Sequence, residues 1–342
     1  MAQLIKELSL INGVSGDEHR IRKYIIDKIG NKADEITVDA IGNVIALKKG
    51  KKSDRKIMVV TNMDECGFIV SGITDKGYLK IKTVGNIDSR VIISKKVLVG
   101  EDVKGIIGMK AIHLQKRSER ENTVPVSDLF VDIGASSKKN AEKKVSLGTY
   151  LTFDSPFYET DETVFGKALD RMGCACVLEA MNCECEYDIY YVFSTQREVC
   201  ARGAAVAAHR IKPDVVICVD TLESADMHSV KGENITAKLG GGVVINMADK
   251  SVISNNTLSE KLRLIAENIG IKMQLRNDTN GKSMSGAAQT AADGAAVCGI
   301  SIPCRYSHTP LCMMNKNDIK SATALLCAVV EKIGEITNGI IK

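Results

Sequence analysis

The sequence lacks several features that mark particular classes of protein. It has no apolar run long enough to span a membrane, and residues 1–12 show the spacing of an amphipathic helix rather than a signal peptide. None of its 11 cysteines are spaced as Cys-x-x-Cys, and no secreted disulfide pattern is present. We therefore expect a protein of the reducing cytoplasm without a membrane partner.

A nucleic-acid footprint is also missing. The net charge is only +4, and the lysine-rich stretches 48–56 and 138–144 are interrupted by other residues and contain no aromatic side chains. Such stretches are typical of a solvated surface rather than of a nucleic-acid interface. With 342 residues, 44% hydrophobic and 26% charged, the chain has the composition of an ordinary globular protein with room for one large and one smaller domain.

Hydrophobic periodicity predicts two domains, one inserted in the other. Helix and strand patterns alternate through residues 1–66 and again through 160–342, where the last predicted helix covers about 318–336. Between them, residues 67–159 carry short alternating strands separated by turns and charged loops. The sequence thus predicts a discontinuous α/β domain with a small β-rich insertion, and no internal repeat.

Two close pairs of cysteines, Cys174/Cys176 and Cys183/Cys185, allow two interpretations. Thiolates at such spacing suit a soft metal. The surrounding small and apolar residues instead favour a buried helix over about 172–181, and we prefer this interpretation.

Acids and a histidine follow predicted buried strands in four separate segments. Asp170, Glu198, Asp220 and His308 are of the residue types that hold two divalent metals in a hydrolase. In open α/β sheets, binding and catalytic sites lie at the carboxyl ends of the strands. Each residue alone is a weak signal, because an aspartate after a strand is more often a cap and a single histidine is more often a plain polar residue.

The sequence motifs around these residues resemble those of one family, and the resemblance covers nearly the whole chain. They are Asn-Met-Asp-Glu-Cys-Gly-Phe at 62–68, Val-Ser-Asp-Leu-Phe-Val-Asp-Ile-Gly-Ala-Ser-Ser at 126–137, Arg-Gly-Ala at 202–204 and Ile-Pro-Cys-Arg-Tyr-Ser-His-Thr-Pro at 302–310. On the basis of these four motifs, the chain is identified as a member of the cytosolic dinuclear-metal aminopeptidases, which include tetrahedral aminopeptidase and glutamyl aminopeptidase. The resemblance implies a three-layer, mixed-sheet zinc-peptidase-like domain and an inserted oligomerisation domain.

The same resemblance implies a role for each site residue. Asp170 corresponds to the bridging metal ligand, Glu198 and Asp220 to terminal ligands, and His308 to the imidazole ligand of the second metal. Asp64 corresponds to the carboxylate that orients the first histidine ligand. The implied cofactors are zinc or cobalt ions, and the alternative is that one or both metal positions are empty.

Four positions depart from the family pattern. Asn62 stands where the family has its first histidine ligand, and Arg197 stands where it has the general base. The Asp-Asp-Arg triplet is shortened to Asp-Arg at 170–171, and the acid of the Gly-Thr-Asp word is replaced at 283–284. An amide oxygen is a poorer zinc ligand than an imidazole, and a guanidinium stays protonated and cannot act as a base.

Three functions follow as alternatives. We expect a member that has lost or greatly weakened peptide hydrolysis, a non-catalytic or regulatory subunit of a homo-oligomer such as a dodecamer, or one that assembles with an active paralogous aminopeptidase. Alternatively, the chain cleaves N-terminal residues from short peptides with an altered metal site, with an acid such as Glu223 as the base. A third alternative is a protein that binds peptides or amino acids in the old cleft.

Overall fold

The computed structural model describes residues 1–232, 235–276 and 281–340. The helices are α1 (Ala2–Leu10), α2 (His19–Ile29), α3 (Arg117–Arg120), α4 (Lys138–Glu142), α5 (Gly173–Ala180), α6 (Arg202–Ile211), α7 (Asn256–Asn268), α8 (Met284–Gln289), α9 (Lys316–Glu331) and α10 (Ile333–Thr337). The strands are β1 (Glu35–Val38), β2 (Val44–Lys48), β3 (Lys52–Asn62), β4 (Gly67–Ile73), β5 (Leu79–Val84), β6 (Lys96–Val99), β7 (Val103–Gly108), β8 (Phe130–Asp132), β9 (Tyr150–Phe153), β10 (Tyr158–Glu159), β11 (Thr163–Gly166), β12 (Tyr187–Ser194), β13 (Val215–Glu223), β14 (Val243–Asn246), β15 (Met273–Arg276), β16 (Ala296–Arg305) and β17 (Cys312–Asn315).

One large mixed sheet organises the main domain. Its strand order is β1-β2-β12-β3-β13-β16-β17-β11-β10, and β14 pairs with β16 and carries β15. The four central strands, β12, β3, β13 and β16, are parallel, so their carboxyl ends meet at one edge. The flanking pairs on this path are antiparallel.

Both faces of this sheet are buried, which explains why its central strands are apolar without alternation. In β3, Ile57 and Val59 point into the larger core, while Met58 and Val60 point into a second core on the opposite face. Helices α5 and α9 pack on the first face and α6 and α8 on the second. The sheet between two helical layers confirms the predicted three-layer α/β architecture.

Strands β4, β5, β8, β7, β6 and β9 close into a small barrel with its own apolar core. Phe68 and Phe153 meet edge to face inside it, with ring centroids 5.4 Å apart. All six strands lie between Gly67 and Phe153, so the barrel interrupts the main domain as a β-rich insertion. This part of the predicted fold class is confirmed.

The predicted closing helix over 318–336 differs in detail from the observed one. It starts earlier, since Asn315 caps α9 by accepting from the Asn317 amide at 2.7 Å, and it breaks at Lys332 before α10. In the part of the chain that the structure describes, no helix is long and apolar enough to cross a membrane.

Candidate active site

The carboxyl edge of the parallel strands gathers the residues that the sequence singled out. Asn62 ends β3, and Asp220 lies three residues before the end of β13. Glu198 lies four residues after β12, and His308 lies three residues after β16. Asp170 reaches the same place from a 3-10 turn, Leu169–Arg171, after β11. Parallel strands with their ends at one edge are what bring these distant segments together.

Three of these residues form a compact donor set. Ligand atoms of Asp170, Glu198 and His308 all lie within 4.8 Å of one another, and among the described residues no other such group of three is present. Asp170 is 3% exposed, and its Oδ1 atom has no hydrogen-bond partner. His308 Nε2 lies 3.2 Å from Glu198 Oε2. Two carboxylates and an imidazole fit one divalent metal of the zinc or cobalt type.

The guanidinium of Arg197 lies inside this group of acids. Its Nη1 donates to Glu198 Oε1 at 2.5 Å, and its Nη2 lies 3.3 Å from Asp220 Oδ1. The same Nη1 is 3.5 Å from His308 Nε2. The Arg197 side chain is only 15% exposed. A cation is therefore already paired with both terminal acids of the predicted metal site.

This pairing decides the protonation of the acids. Burial opposes ionisation of Glu198, but Arg197 and His308 outweigh it and lower the pKa of that carboxyl to about 2. Asp170 lacks such a partner, so burial, reinforced by the charge of Glu198, raises its pKa to about 7. Burial disfavours the charged form of His308, yet its contact with Glu198 raises its pKa overall.

The carboxylate of Asp64 does not contact the Asn62 side chain. Asn62 Nδ2 donates to the backbone carbonyl of Asp64 at 3.2 Å, and the buried Asn62 Oδ1 has no partner. The carboxylate of Asp64 instead accepts from the Ser15 hydroxyl at 2.5 Å and from the Glu198 amide at 3.0 Å. Burial and the charge of Glu198 raise the pKa of Asp64 to about 7.

These donors fit one metal ion but not two. The set of Asp170, Glu198 and His308 is complete for a single ion, once Glu198 leaves Arg197. A second ion would need Asp220, which is paired with Arg197, and the amide oxygen of Asn62. Hence the second position fits the guanidinium better than a metal.

A cleft of about 1280 Å³ opens in front of the site. Arg197, Glu198, Asp220 and His308 line it from the main domain, and residues of the barrel line it from the other side, namely Asn86, Asp88 and Val91. Its volume is above the roughly 300–1,000 Å³ that is typical of small-ligand pockets, which leaves room for a short peptide.

Glu223 lines the cleft but is occupied by the backbone. Its two carboxylate oxygens accept from the Tyr306 amide at 3.1 Å and the Ser307 amide at 2.9 Å. Tyr306 and His308 both have φ of 60°, so Glu223 holds a strained turn that carries His308. This contact makes Glu223 a support for the loop, which weakens its candidacy as a base. Ser283, at the altered glycine-rich word, also lines the cleft, and its amide donates to Asp249 at 3.0 Å.

The cysteine pairs lie away from the cleft. Cys174 and Cys176 are fully buried in α5, where the Cys174 thiol donates to the Asn62 carbonyl at 3.1 Å and Cys176 contacts Thr323. Cys183 and Cys185 follow α5 in the loop before β12.

Sequence reasoning missed the part played by the N-terminal loop. No site role was predicted for the turn at 13–18, yet Ser15 contacts Asp64 and Glu18 accepts from the Gln196 amide at 3.0 Å. The only signal was an acid and a hydroxyl within a glycine-rich turn, a pattern too common to point to a site.

Comparison with known proteins identifies the family. A model described as M42 glutamyl aminopeptidase matches residues 42–325. The chain belongs to the M42 glutamyl aminopeptidase family. A putative aminopeptidase of Acetivibrio thermocellus is 38% identical, over 96% of this chain and 98% of its own length.

Solved structures agree with this assignment. A TET aminopeptidase from the marine sediment archaeon Thaumarchaeota archaeon SCGC AB-539-E09 has a TM-score of 0.95 and 30% identity, covering 99% of this chain and 98% of its own. The TET1 peptidase of Pyrococcus horikoshii, which can assemble into a tetrahedron or a large octahedral shell, has a TM-score of 0.86 and 31% identity over 96% and 98%. The family resemblance seen in the M42 sequence words is thus confirmed.

Proposed function

We propose that this M42 family member has lost or greatly weakened peptide hydrolysis and acts as a non-catalytic or regulatory subunit in the cytoplasm. The observation that carries the proposal is the position of Arg197, whose guanidinium pairs with Glu198 at 2.5 Å and approaches Asp220 at 3.3 Å. Both acids stand at metal-ligand positions of the family pattern. The cation supplies the positive charge that these buried carboxylates need.

Two physical consequences follow for hydrolysis. A guanidinium does not accept a proton from water at any working pH, so the general base is lost, which costs roughly 10² to 10⁴ in rate. Arg197 would also repel a nearby dication, by several kcal/mol at a separation of a few ångströms and an effective dielectric of about 20. Metal binding is therefore limited to one zinc or cobalt ion on Asp170, Glu198 and His308, held weakly.

Assembly is the activity that we expect to survive. The barrel is a complete closed unit with its own core, and the relative from Pyrococcus horikoshii can form a tetrahedron. We propose that this chain forms a homo-oligomer such as a dodecamer, or joins an active paralogous aminopeptidase, through its barrel domain.

The second candidate is a working aminopeptidase with a single metal. It is favoured by the donor set within 4.8 Å and by the open cleft, which has room for short peptides. In that case Glu198 must exchange Arg197 for the metal, and another group must activate water.

Metal analysis and turnover on one preparation distinguish the two candidates. We expect fewer than two zinc or cobalt ions per chain after purification without chelator. With aminoacyl-anilides and added zinc, cobalt or manganese, we expect turnover at least about 100-fold below that of an active relative assayed in parallel. Turnover that disappears in Glu198→Ala, together with stoichiometric bound metal, would establish the working enzyme; turnover that persists in Glu198→Ala indicates a contaminant.

A further inference from the structure

The segment that carries Arg197 and Glu198 has an unfavourable backbone. Gln196, Cys200 and Ala201 all have positive φ, between 51° and 67°, although none is glycine. Such a turn persists only when surrounding contacts hold it in place. Hydrogen bonds within the turn do not hold its first half, because the amides of Gln196 and Glu198 donate to other parts of the chain.

Two buried carboxylates accept these amides. Glu18 Oε1 accepts from Gln196 N at 3.0 Å, and Asp64 Oδ2 accepts from Glu198 N at 3.0 Å. Glu18 is 4% exposed and Asp64 is fully buried. The two hydrogen bonds fix the backbone on either side of Arg197, and so set the direction in which Arg197 and Glu198 leave the chain.

The N-terminal loop controls both acceptors. Ser15 donates to the same oxygen of Asp64 that accepts from Glu198, at 2.5 Å. The loop is locked to the end of β3 by further bonds, since Gly13 N donates to Glu65 Oε1 at 2.8 Å and Ser15 N donates to Glu65 O at 3.2 Å. Glu18 precedes α2 as its N-cap residue, yet its side chain makes no cap hydrogen bond. Its carboxylate is directed to the Gln196 amide instead of to its own helix.

We propose that Ser15 and Glu18 are positioning residues of this site, which act through the backbone of residues 196–198 to set the orientation of Glu198. Neither side chain belongs to the donor set of Asp170, Glu198 and His308. The inference rests on the proposed function only in taking that set as a weak site for one metal. Hydrogen-bonding partners behind metal ligands typically change metal affinity by 10- to 100-fold when they are removed.

Cobalt binding to the full-length chain tests the proposal, with the ion followed by its visible absorption bands. We expect Ser15→Ala and Glu18→Ala to raise the Kd for cobalt by about tenfold or more and to alter the bands, because Glu198 is no longer aimed at the ion. Ser15→Thr keeps the hydroxyl and Glu18→Gln keeps an acceptor oxygen, so both should restore wild-type values. Asp17→Ala is the matched control on the same loop, because the Asp17 carboxylate pairs with His19 and Arg20 rather than with the site, and it should change neither Kd nor bands.

The proposal fails if Ser15→Ala and Glu18→Ala bind cobalt within twofold of the wild type, or if Asp17→Ala weakens binding as much as they do. If the wild type binds no cobalt, crystal structures of the same variants take its place. Loss of the Arg197–Glu198 contact in the alanine variants would then support positioning, and its retention would overturn it. Turnover of peptides by the wild type would contradict the proposed function but leave this comparison valid.

Discussion

At the scale of single residues, Arg197 determines the character of the site. Glu198 and Asp220 have side chains only 2% and 3% exposed, and such carboxylates need a cation. In this chain the cation is covalently attached and always charged, whereas a metal ion is exchangeable. We therefore expect the site to be stable without metal, and we expect binding of a metal at Glu198 to require that the ion pair with Arg197 be broken.

Replacing Arg197 with an acid should make the site favour a bound metal ion over the metal-free state. We expect Arg197→Glu to raise affinity for zinc by about 100-fold or more, because it removes a positive charge and adds a negative one within a few ångströms of the donors. Without metal the variant should be less stable than the wild type, because its buried acids repel one another. Calorimetric titration with zinc measures the affinity, and Arg197→Lys, which keeps the charge, should bind as weakly as the wild type. Equal affinities of Arg197→Glu and Arg197→Lys would contradict the argument.

The sequence predicted which residues meet at this site but not how they contact one another. The predicted strand ends and the family motifs were sufficient to predict that four residues meet, because parallel strands must end at a common edge. These residues are Asp170, Glu198, Asp220 and His308. The partners of Asp64 were not predictable, since Ser15 and Glu198 are 49 and 134 residues away in the chain and only tertiary packing brings them together. The pairing of Arg197 with two acids depends on a rotamer that no sequence pattern records.

At the scale of elements, a buried charged cluster joins the start of the chain to the site. Arg171 is fully buried, and its Nη2 lies 2.9 Å from Glu65 Oε1 and donates to the Ile11 carbonyl at 2.8 Å. Its Nη1 donates to the Met63 carbonyl at 3.3 Å. Lys167 joins the barrel to the cluster, with Nζ 2.9 Å from Thr152 Oγ1. The 3-10 turn, the end of β3 and the end of α1 are thus held by one guanidinium.

Removal of this guanidinium should destabilise the main domain strongly. We expect Arg171→Ala to lower the free energy of unfolding by about 3–5 kcal/mol, because Glu65 is left buried with its close partner gone. Urea unfolding followed by circular dichroism measures the change. Arg90→Ala is the matched control, because Arg90 pairs with Asp88 on the surface and its loss should have little effect. A loss below about 1 kcal/mol for Arg171→Ala would show that the cluster is not structural.

Elements were easier to predict when they were long and buried. The central strands appear as apolar runs, but their order in the sheet was not predicted from the sequence. The short strands β10, β14, β15 and β17 were not predicted, because a run of four residues or fewer carries too little periodicity. The altered motif at 283–284 marks the start of α8, which covers only Met284–Gln289.

At the scale of the whole molecule, the barrel presents apolar side chains to solvent. Ile112 and Leu114 are each 63% exposed on one 3-10 turn, with His113 between them. Exposed apolar groups that lie together are typical of interaction surfaces. This turn belongs to the inserted domain rather than to the domain that carries the donor set, so we propose that assembly is separable from metal binding.

The last prediction tests that separation. We expect Ile112→Asp combined with Leu114→Asp to lower the assembly mass in sedimentation velocity, because two charges on this turn oppose its burial against another copy. The matched control is Ile253→Asp, which places a charge at a 77% exposed isoleucine on the main domain and should leave the mass unchanged. Cobalt binding by the double variant should match the wild type, since neither side chain approaches the donor set. An unchanged mass in the double variant would exclude this turn from the interface and move the oligomer contact to another face of the chain.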